Sequence, residues 1–501
     1  MHLPTLSRSF LLAVVTCILS LHSYADVRLP ALVSNNMVLQ RNKPLHIWGW
    51  AEKGEKVTIT FMNGTYKATT ADNGKWEATL PSRPAGGPYT MTIKGNNTIT
   101  LDNILIGEVW IASGQSNMEM PLHGWGSVLN FEQEIKAANY PEIRLFQINH
   151  TTSTALQEDV VTWKGGWLPC TPENISQFSA VGYFFAREIY THQHIPVGVI
   201  HTSWGGTVAE TWTSGESLKK MPAFADTVKA YESLPAPLAP GNPNKPTLLY
   251  NAMIHPLLPY PIRGVIWYQG EGNADRAYQY RELFPLMIKD WRKHWNNGEF
   301  PFYFVQLAAF KDKKTEPAPS AWAELREAQL RTLSLANTGM ASAVDIGDAK
   351  DVHPKNKQEV GRRLSLIARA QVYGEKIPYS GPIYLSKKVA GNKITVSFKH
   401  TDEGLTVKRN TPYTDREKMM HALPRTHLLG FTIAGADKQF YPAQAQISGN
   451  RVIVWSDEVK NPVAVRYSWA DNPDGNLYNG AGLPASPFRT DDWEGITFGK
   501  Q

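Results

Sequence analysis

The sequence predicts an α/β protein: a three-layer core built on a parallel sheet, with an N-terminal β-sandwich before it and a C-terminal β-rich region after it. Two observations carry this reading. Between about 106 and 376, five apolar strand-like runs alternate with helical patterns, as in a parallel sheet covered by helices on both faces. On either side of that span, short alternating runs separated by Gly, Asn and Pro turns show no helical period. The length of 501 residues has room for about two to four domains.

Residues 1–25 read as an export signal. His2 and Arg8 precede the apolar run "FLLAVVTCILSL" (10–21), and "SYA" (23–25) offers small residues for cleavage before Asp26. The run is short for a bilayer span, so removal is expected rather than anchoring, and the mature protein is expected in the periplasm or outside the cell. Lipid attachment at Cys17 would want a small residue before it, and Thr16 fits poorly. No other stretch is long and apolar enough to cross a membrane. Cleavage leaves one thiol, Cys170, so no internal disulfide is expected and packing must supply the stability. Cys170 sits in "WLPCTPENISQFSA", read as a loop leading into a helix, with nothing nearby to activate it.

Residues 26–105 carry "KPLHIWGWA", "EKVTITFM", "KWEATLP" and "YTMTIKG", separated by turn signals, and predict a small antiparallel sandwich. Residues 106–376 carry the strand-like runs "GEVWIAS", "VGVIHTS" (197–203), "RGVIWYQ" (263–269), "FYFVQLA" (302–308) and "MASAVDI" (340–346). Helices are predicted at 179–192, about 277–294, 320–335 and 355–373. In the last, Val360, Leu364 and Ile367 form one stripe, with Arg362, Arg363 and Arg369 left to solvent. "LPAPLAPGNPNKP" (234–246) is a Pro-rich loop long enough to border an active site. Residues 377–501 return to β runs, among them "KITVSFKH" and "NRVIVWS".

Hydrophobic residues make up 42% and charged residues 19% of the chain, an ordinary globular balance. The net charge of +6 is spread along the length without a dense Lys/Arg run, which argues against a nucleic-acid surface. The 16 Trp fit large cores first and carbohydrate stacking second.

The chemistry gathers at the predicted strand ends, where ligands collect in parallel α/β sheets. The first strand runs into "SGQSNM", placing Ser116 at its end. The second delivers Gly205 and Gly206, and the third delivers Gln269, Glu271 and Asn273. The fifth leads into "DIGDAKDVHPKN", with Asp348, Asp351 and His353. Acyl transfer needs such a set. A serine hydroxyl is a poor nucleophile until a base takes its proton. A histidine accepts that proton and returns it to the leaving alcohol. A carboxylate beside the imidazole fixes its tautomer. The oxyanion needs donors already aimed, and the Ser116 N–H, a glycine N–H and the Asn273 amide would serve.

The blocks "GQSNM", a post-strand Gly, "QGEGN" and "DVHP" are similar to those of the SGNH hydrolases. "VWIASGQSNMEMPL", "SWGGT", "WYQGEGN", "DVHPKNKQEVGRRL" and the opening "NNMVLQRNKPLHIWGWAEKGEKV" look most like the sialate O-acetylesterase family, across nearly the whole mature chain. The resemblance implies an SGNH-type, flavodoxin-like core and a metal-independent esterase, without cofactor, acting on O-acetylated sialic acid or another acetylated glycan. It implies Ser116 as nucleophile, His353 as base, and Gly206 and Asn273 as oxyanion donors. Gly205, Gln269 and Glu271 are left to supporting or substrate-facing roles. The SGNH pattern has its acid three residues before the histidine, a position held here by Lys350. The resemblance to "DxHP" forms implies Asp351 as the acid, with a backbone carbonyl orienting the imidazole as the alternative.

Structural readings stand beside these. Ser116 can fill a turn, His353 can open a helix beside Pro354, the glycines can make a tight turn, and Asn273 can cap the next helix. His192 and His194 in "THQH" lack an acidic or cysteine partner nearby and do not read as a metal site. No G-x-S-x-G elbow surrounds Ser116, and no Walker-type or G-x-G-x-x-G loop is present. Acetylated xylan is the nearest rival substrate, and a non-catalytic glycan-binding protein is the rival function.

Overall fold

A computed structural model describes residues 26–234, 241–408 and 427–501. The expected export signal (1–25) lies outside the described residues, as does the middle of the Pro-rich loop 234–246.

Seven strands form the central sheet: β1 (Thr98–Gly114), β2 (Tyr140–Gln147), β3 (Leu168–Cys170), β4 (Val197–Ser203), β5 (Gly264–Tyr268), β6 (Phe302–Gln306) and β7 (Thr338–Ser342). Their order is β7-β6-β5-β1-β4-β2-β3. All pairs are parallel except β2–β3. The five strands expected from sequence are β1, β4, β5, β6 and β7. They lie in the doubly wound order in which the chain leaves β1 toward one side and later returns on the other. The switch point falls between β1 and β5, where such sheets open a ligand crevice at their carboxyl ends.

Helices cover both faces. The short α1 (Ser116–Glu119) follows β1, and the longer ones are α2 (Ala180–Gln193), α3 (Ala277–Trp295), α4 (Ala321–Arg331) and α5 (Lys357–Gln371). The α2–α5 pair packs together, as does the α3–α4 pair. Gly361 lets α5 approach α2, since a Cβ there would sit 2.5 Å from that of Phe184. The expected stripe of Val360, Leu364 and Ile367 is buried. Arg363, expected in solvent, is buried too, because Asp345 takes its guanidinium through two bonds of 2.6 and 2.8 Å.

Strand β1 serves two sheets. Its first half pairs antiparallel with Gly86–Lys94 in the N-terminal β layer. Its second half pairs with β4 and β5 in the core, and it is buried from Ile104 onward. Strands Leu45–Trp50 and Lys75–Leu80 form a separate ribbon beside it.

β2 and β3 were not among the expected strands. Cys170, expected in a loop, is the last residue of β3 and fully buried, and burial pushes its thiol up to about 12. His194, in the left-handed region, ends α2, and His192 bonds the Glu188 carbonyl. The C-terminal β region holds two four-stranded sheets around its own core, including Ile394, Val396, Ile433, Val452 and Val465. Arg326 of α4 docks it by donating to the carbonyls of Leu307, Ala308, Ala470 and Asp471. Burial lowers that guanidinium to about 9. Among the described residues, no helix is long and apolar enough to cross a membrane.

Candidate active site

The site begins where β1 stops. Gly114 has a φ of +140°, and a Cβ there would lie 2.2 Å from the Tyr268 carbonyl oxygen. Only glycine lets β1 and β5 come this close before the chain turns. Gln115 then donates its N–H to that carbonyl at 3.0 Å. Its side-chain oxygen accepts from Gly270 and Gly272 at 3.3 and 3.1 Å, tying the turn after β5 to the turn after β1. Ser116 opens α1, in the first turn of a helix, where backbone N–H groups have no intrahelical acceptor.

The loop after β7 brings His353 to Ser116 across 237 positions, with Nε2 2.9 Å from Oγ. Asp351 Oδ1 lies 3.1 Å from His353 Nδ1 and also accepts the His353 backbone N–H at 2.9 Å. Asp348 bends back to accept the Lys350 N–H at 2.8 Å, so of the two aspartates Asp351 is the one that meets the imidazole. Burial and the nearby Lys357 ammonium hold His353 below its ordinary value, against the upward pull of Asp351 and Glu119. The exposed Trp125 meets the imidazole edge-on, with ring centroids 5.3 Å apart. His353 lies outside α5, which starts at Lys357 and is capped by the Asn356 side chain.

The two glycines after β4 take different places. The Gly205 N–H goes to Glu119 Oε2 at 2.5 Å, and a Cβ at Gly205 would sit 3.3 Å from that of Ser116. Gly206 adopts a φ of +73° and turns the chain. Its carbonyl accepts from Asn244, and its N–H meets no protein acceptor among the described residues. Glu119 also contacts His150 Nε2 at 3.0 Å, and the His150 ring stacks on Trp204 at 4.3 Å.

Asn273 is buried and does not cap α3, whose N-cap is Arg276. Its Oδ1 accepts from the Ala209 N–H at 2.9 Å and from Gln269 Nε2 at 2.6 Å, and its Nδ2 donates to Glu210 at 3.0 Å. An amide has two N–H donors, so one stays available. Gln269 is held in turn by Tyr280, whose hydroxyl donates to its Oε1. Glu271 turns inward to accept from Asn117 at 2.6 Å. The sequence reading did not single out Asn117, Glu119, His150, Trp125 or Lys357. Asn117 and Glu119 lie within "SGQSNMEM" itself, and Lys357 follows His353 by one helical turn.

A doubly wound sheet with a Ser–His–Asp line at its switch point is the layout of a serine-type ester hydrolase. Comparison with known proteins narrows the class. The family model described as carbohydrate esterase, sialic acid-specific acetylesterase matches residues 106–368. The sialate O-acetylesterase of Homo sapiens is 34% identical over 393 residues, covering 71% of this chain and 73% of that one. Its Mus musculus counterpart is 32% identical over 419 residues, covering 72% and 76%. Among solved structures, a carbohydrate acetylesterase from Xanthomonas citri is 40% identical with a TM-score of 0.82, covering 93% of this chain and all of that one. The chain belongs to the sialic acid-specific acetylesterase family of carbohydrate esterases.

Proposed function

We propose that the protein hydrolyses O-acetyl esters of sialic acids through an acetyl-Ser116 intermediate. The observation that carries this reading is the unbroken hydrogen-bonded line from Asp351 through His353 to Ser116 at the end of the central strand. Nδ1–H donates to Asp351, which leaves the Nε2 lone pair facing the serine hydroxyl. Ser116 Oγ attacks the acetyl carbonyl as its proton passes to Nε2. The Ser116 and Gly206 N–H groups and the remaining Asn273 N–H receive the oxyanion, each donor contributing about 3 kcal/mol. The tetrahedral adduct collapses as the sugar oxygen leaves with the proton from His353. Water then attacks the acetyl-serine, gives its proton to Nε2, and acetate departs as Ser116 regains a proton. His353 generates the nucleophile, so a chelator is expected to leave the rate unchanged. The first 25 residues support an exported enzyme, periplasmic or secreted.

The test is acetate release from p-nitrophenyl acetate and from O-acetylated sialic acid by wild type and Ser116→Ala. Loss of both activities in the variant is expected, and equal rates would overturn the nucleophile assignment. Faster release from acetylated xylan than from sialic acid would move the substrate within the same chemistry. Sugar binding without turnover by the wild type would favour a glycan-binding protein.

A further inference from the structure

Beneath the Ser116–His353 pair lies a buried polar cluster that the acyl-transfer steps do not use. At its centre is Asn117, the residue after the nucleophile, which is almost fully buried. Its Nδ2 donates to Glu271 Oε1 at 2.6 Å and to the Val352 carbonyl at 2.9 Å, using both amide hydrogens. Its Oδ1 accepts from the Lys357 ammonium. One side chain thus joins the nucleophile turn, the segment just before His353, the first residue of α5, and the turn that carries Asn273.

Lys357 is in an expensive place. It is fully buried, and it sits at the first residue of α5, the positive end of the helix dipole, where a cation is disfavoured. Burial lowers its ammonium to about 7, against the upward pull of Glu271 and Asp351. The Tyr268 ring lies 5.2 Å from Nζ. Burial pushes the Glu271 carboxyl up, and its Oε2 is buried without a hydrogen-bond partner among the described residues. A lysine kept at this cost does something an uncharged residue would not. Its bond to Oδ1 fixes which way the Asn117 amide faces, so that both N–H groups point at Glu271 and Val352.

We propose that Lys357 is a positioning residue of this site: it holds the Asn117 amide, and through it the Val352–His353 segment, in register with Ser116, and its charge biases His353 toward the neutral, proton-accepting imidazole. The proposal rests on the Ser116–His353 reading above. The charged groups acting on His353 are Asp351 on its own loop, Glu119 from α1 and Lys357 from α5. Lys357 is the cation of the three, so its removal favours the imidazolium.

The test compares Lys357→Met, Lys357→Arg and Asn117→Ala with wild type and Ser116→Ala, on p-nitrophenyl acetate across pH, with a thermal melt for each. Lys357→Met is expected to lower kcat about 10- to 100-fold, the scale of a misplaced catalytic group, with little change in KM. Its acid limb is expected to move to higher pH. Lys357→Arg restores the limb, and Asn117→Ala lowers kcat while leaving the limb in place. A folded Lys357→Met with wild-type kcat and an unmoved limb overturns the proposal. Should Lys357→Met fail to fold, a folded Asn117→Ala with wild-type kcat does the same. A fully active Ser116→Ala would instead overturn the reading of the site itself.

Discussion

Among the described residues two serine hydroxyls meet the Nε2 of a histidine, and only one of those imidazoles has a carboxylate on its other nitrogen. His353 Nε2 lies 2.9 Å from Ser116 Oγ, and His201 Nε2 lies 2.5 Å from Ser203 Oγ. The second pair is the shorter, yet it lacks the exposure and the orienting carboxylate of the first. His201 and Ser203 stand two residues apart on one face of β4, both buried. Among the described residues His201 Nδ1 has no hydrogen-bond partner, so no carboxylate orients the ring, and burial lowers the imidazole to about 4. His353 keeps partial exposure, a carboxylate on Nδ1, and a serine in the first turn of a helix, where backbone N–H groups have no intrahelical acceptor. A hydrogen bond between a serine and a histidine is therefore not a site. Access, the third group and the oxyanion donors make it one.

Substitution separates the pairs most sharply. Ser116→Ala or His353→Ala is expected to lower kcat/KM on p-nitrophenyl acetate by about 10⁴-fold or more. Ser203→Ala, at the shorter pair, is expected to stay within about threefold of wild type, since it lies outside the reaction path. Comparable losses at both serines would erase the distinction.

The next effect concerns the carboxylate that His201 lacks. Asp351 uses the same oxygen, Oδ1, for the His353 ring and for the His353 backbone N–H. Asparagine presents an equivalent oxygen without the charge. Asp351→Asn and Asp351→Ala are both expected to lower kcat by about 10²- to 10⁴-fold, since neither fixes the tautomer nor stabilises the imidazolium. The pH profile adds a signed check. Asp351 raises the His353 proton affinity, so Asp351→Asn moves the acid limb of kcat/KM to lower pH, opposite to Lys357→Met. Movement of both limbs in one direction would contradict the arrangement of charges.

How much of this was readable in the chain follows the range of the interactions. The alternation of apolar runs and helical stripes is local, and it placed the five strands β1, β4, β5, β6 and β7 close to where they lie. The meeting of Ser116 with His353 and with the Gly205 turn followed from topology, because parallel strand ends share one rim. β2 escaped because "YPEIRLFQ" has Pro and Glu as its second and third residues and carries Arg144. That guanidinium is buried against the Asn36 and Asn103 carbonyls, 108 and 41 positions away. Arg363 read as solvent-facing, and Lys357 went unnoticed, for the same reason. Their partners, Asp345 on the loop after β7 and Asn117 on α1, are fixed only by the folded chain. A buried charge is legible only once its partner is known.

The smallest expected effect lies on the inert pair and is read as stability. The folded-state pKa of His201 is lowered from 6.5 to about 4, so the unfolded chain binds the extra proton between those values. Stability tied to this group is fully present above pH 6.5 and is lost as pH falls toward 4. Between pH 6.5 and 5.5 the loss is about 1 kcal/mol, from one pKa unit being worth about 1.4 kcal/mol. Urea unfolding of wild type and His201→Gln across that window isolates it, because the other titrating groups are common to both proteins. The variant starts less stable, having lost a packed ring, and its deficit relative to wild type is expected to shrink by about 1 kcal/mol as the pH drops. A constant deficit would mean that the buried imidazole is charged in the folded protein, and the contrast between the two histidines would then rest on access alone.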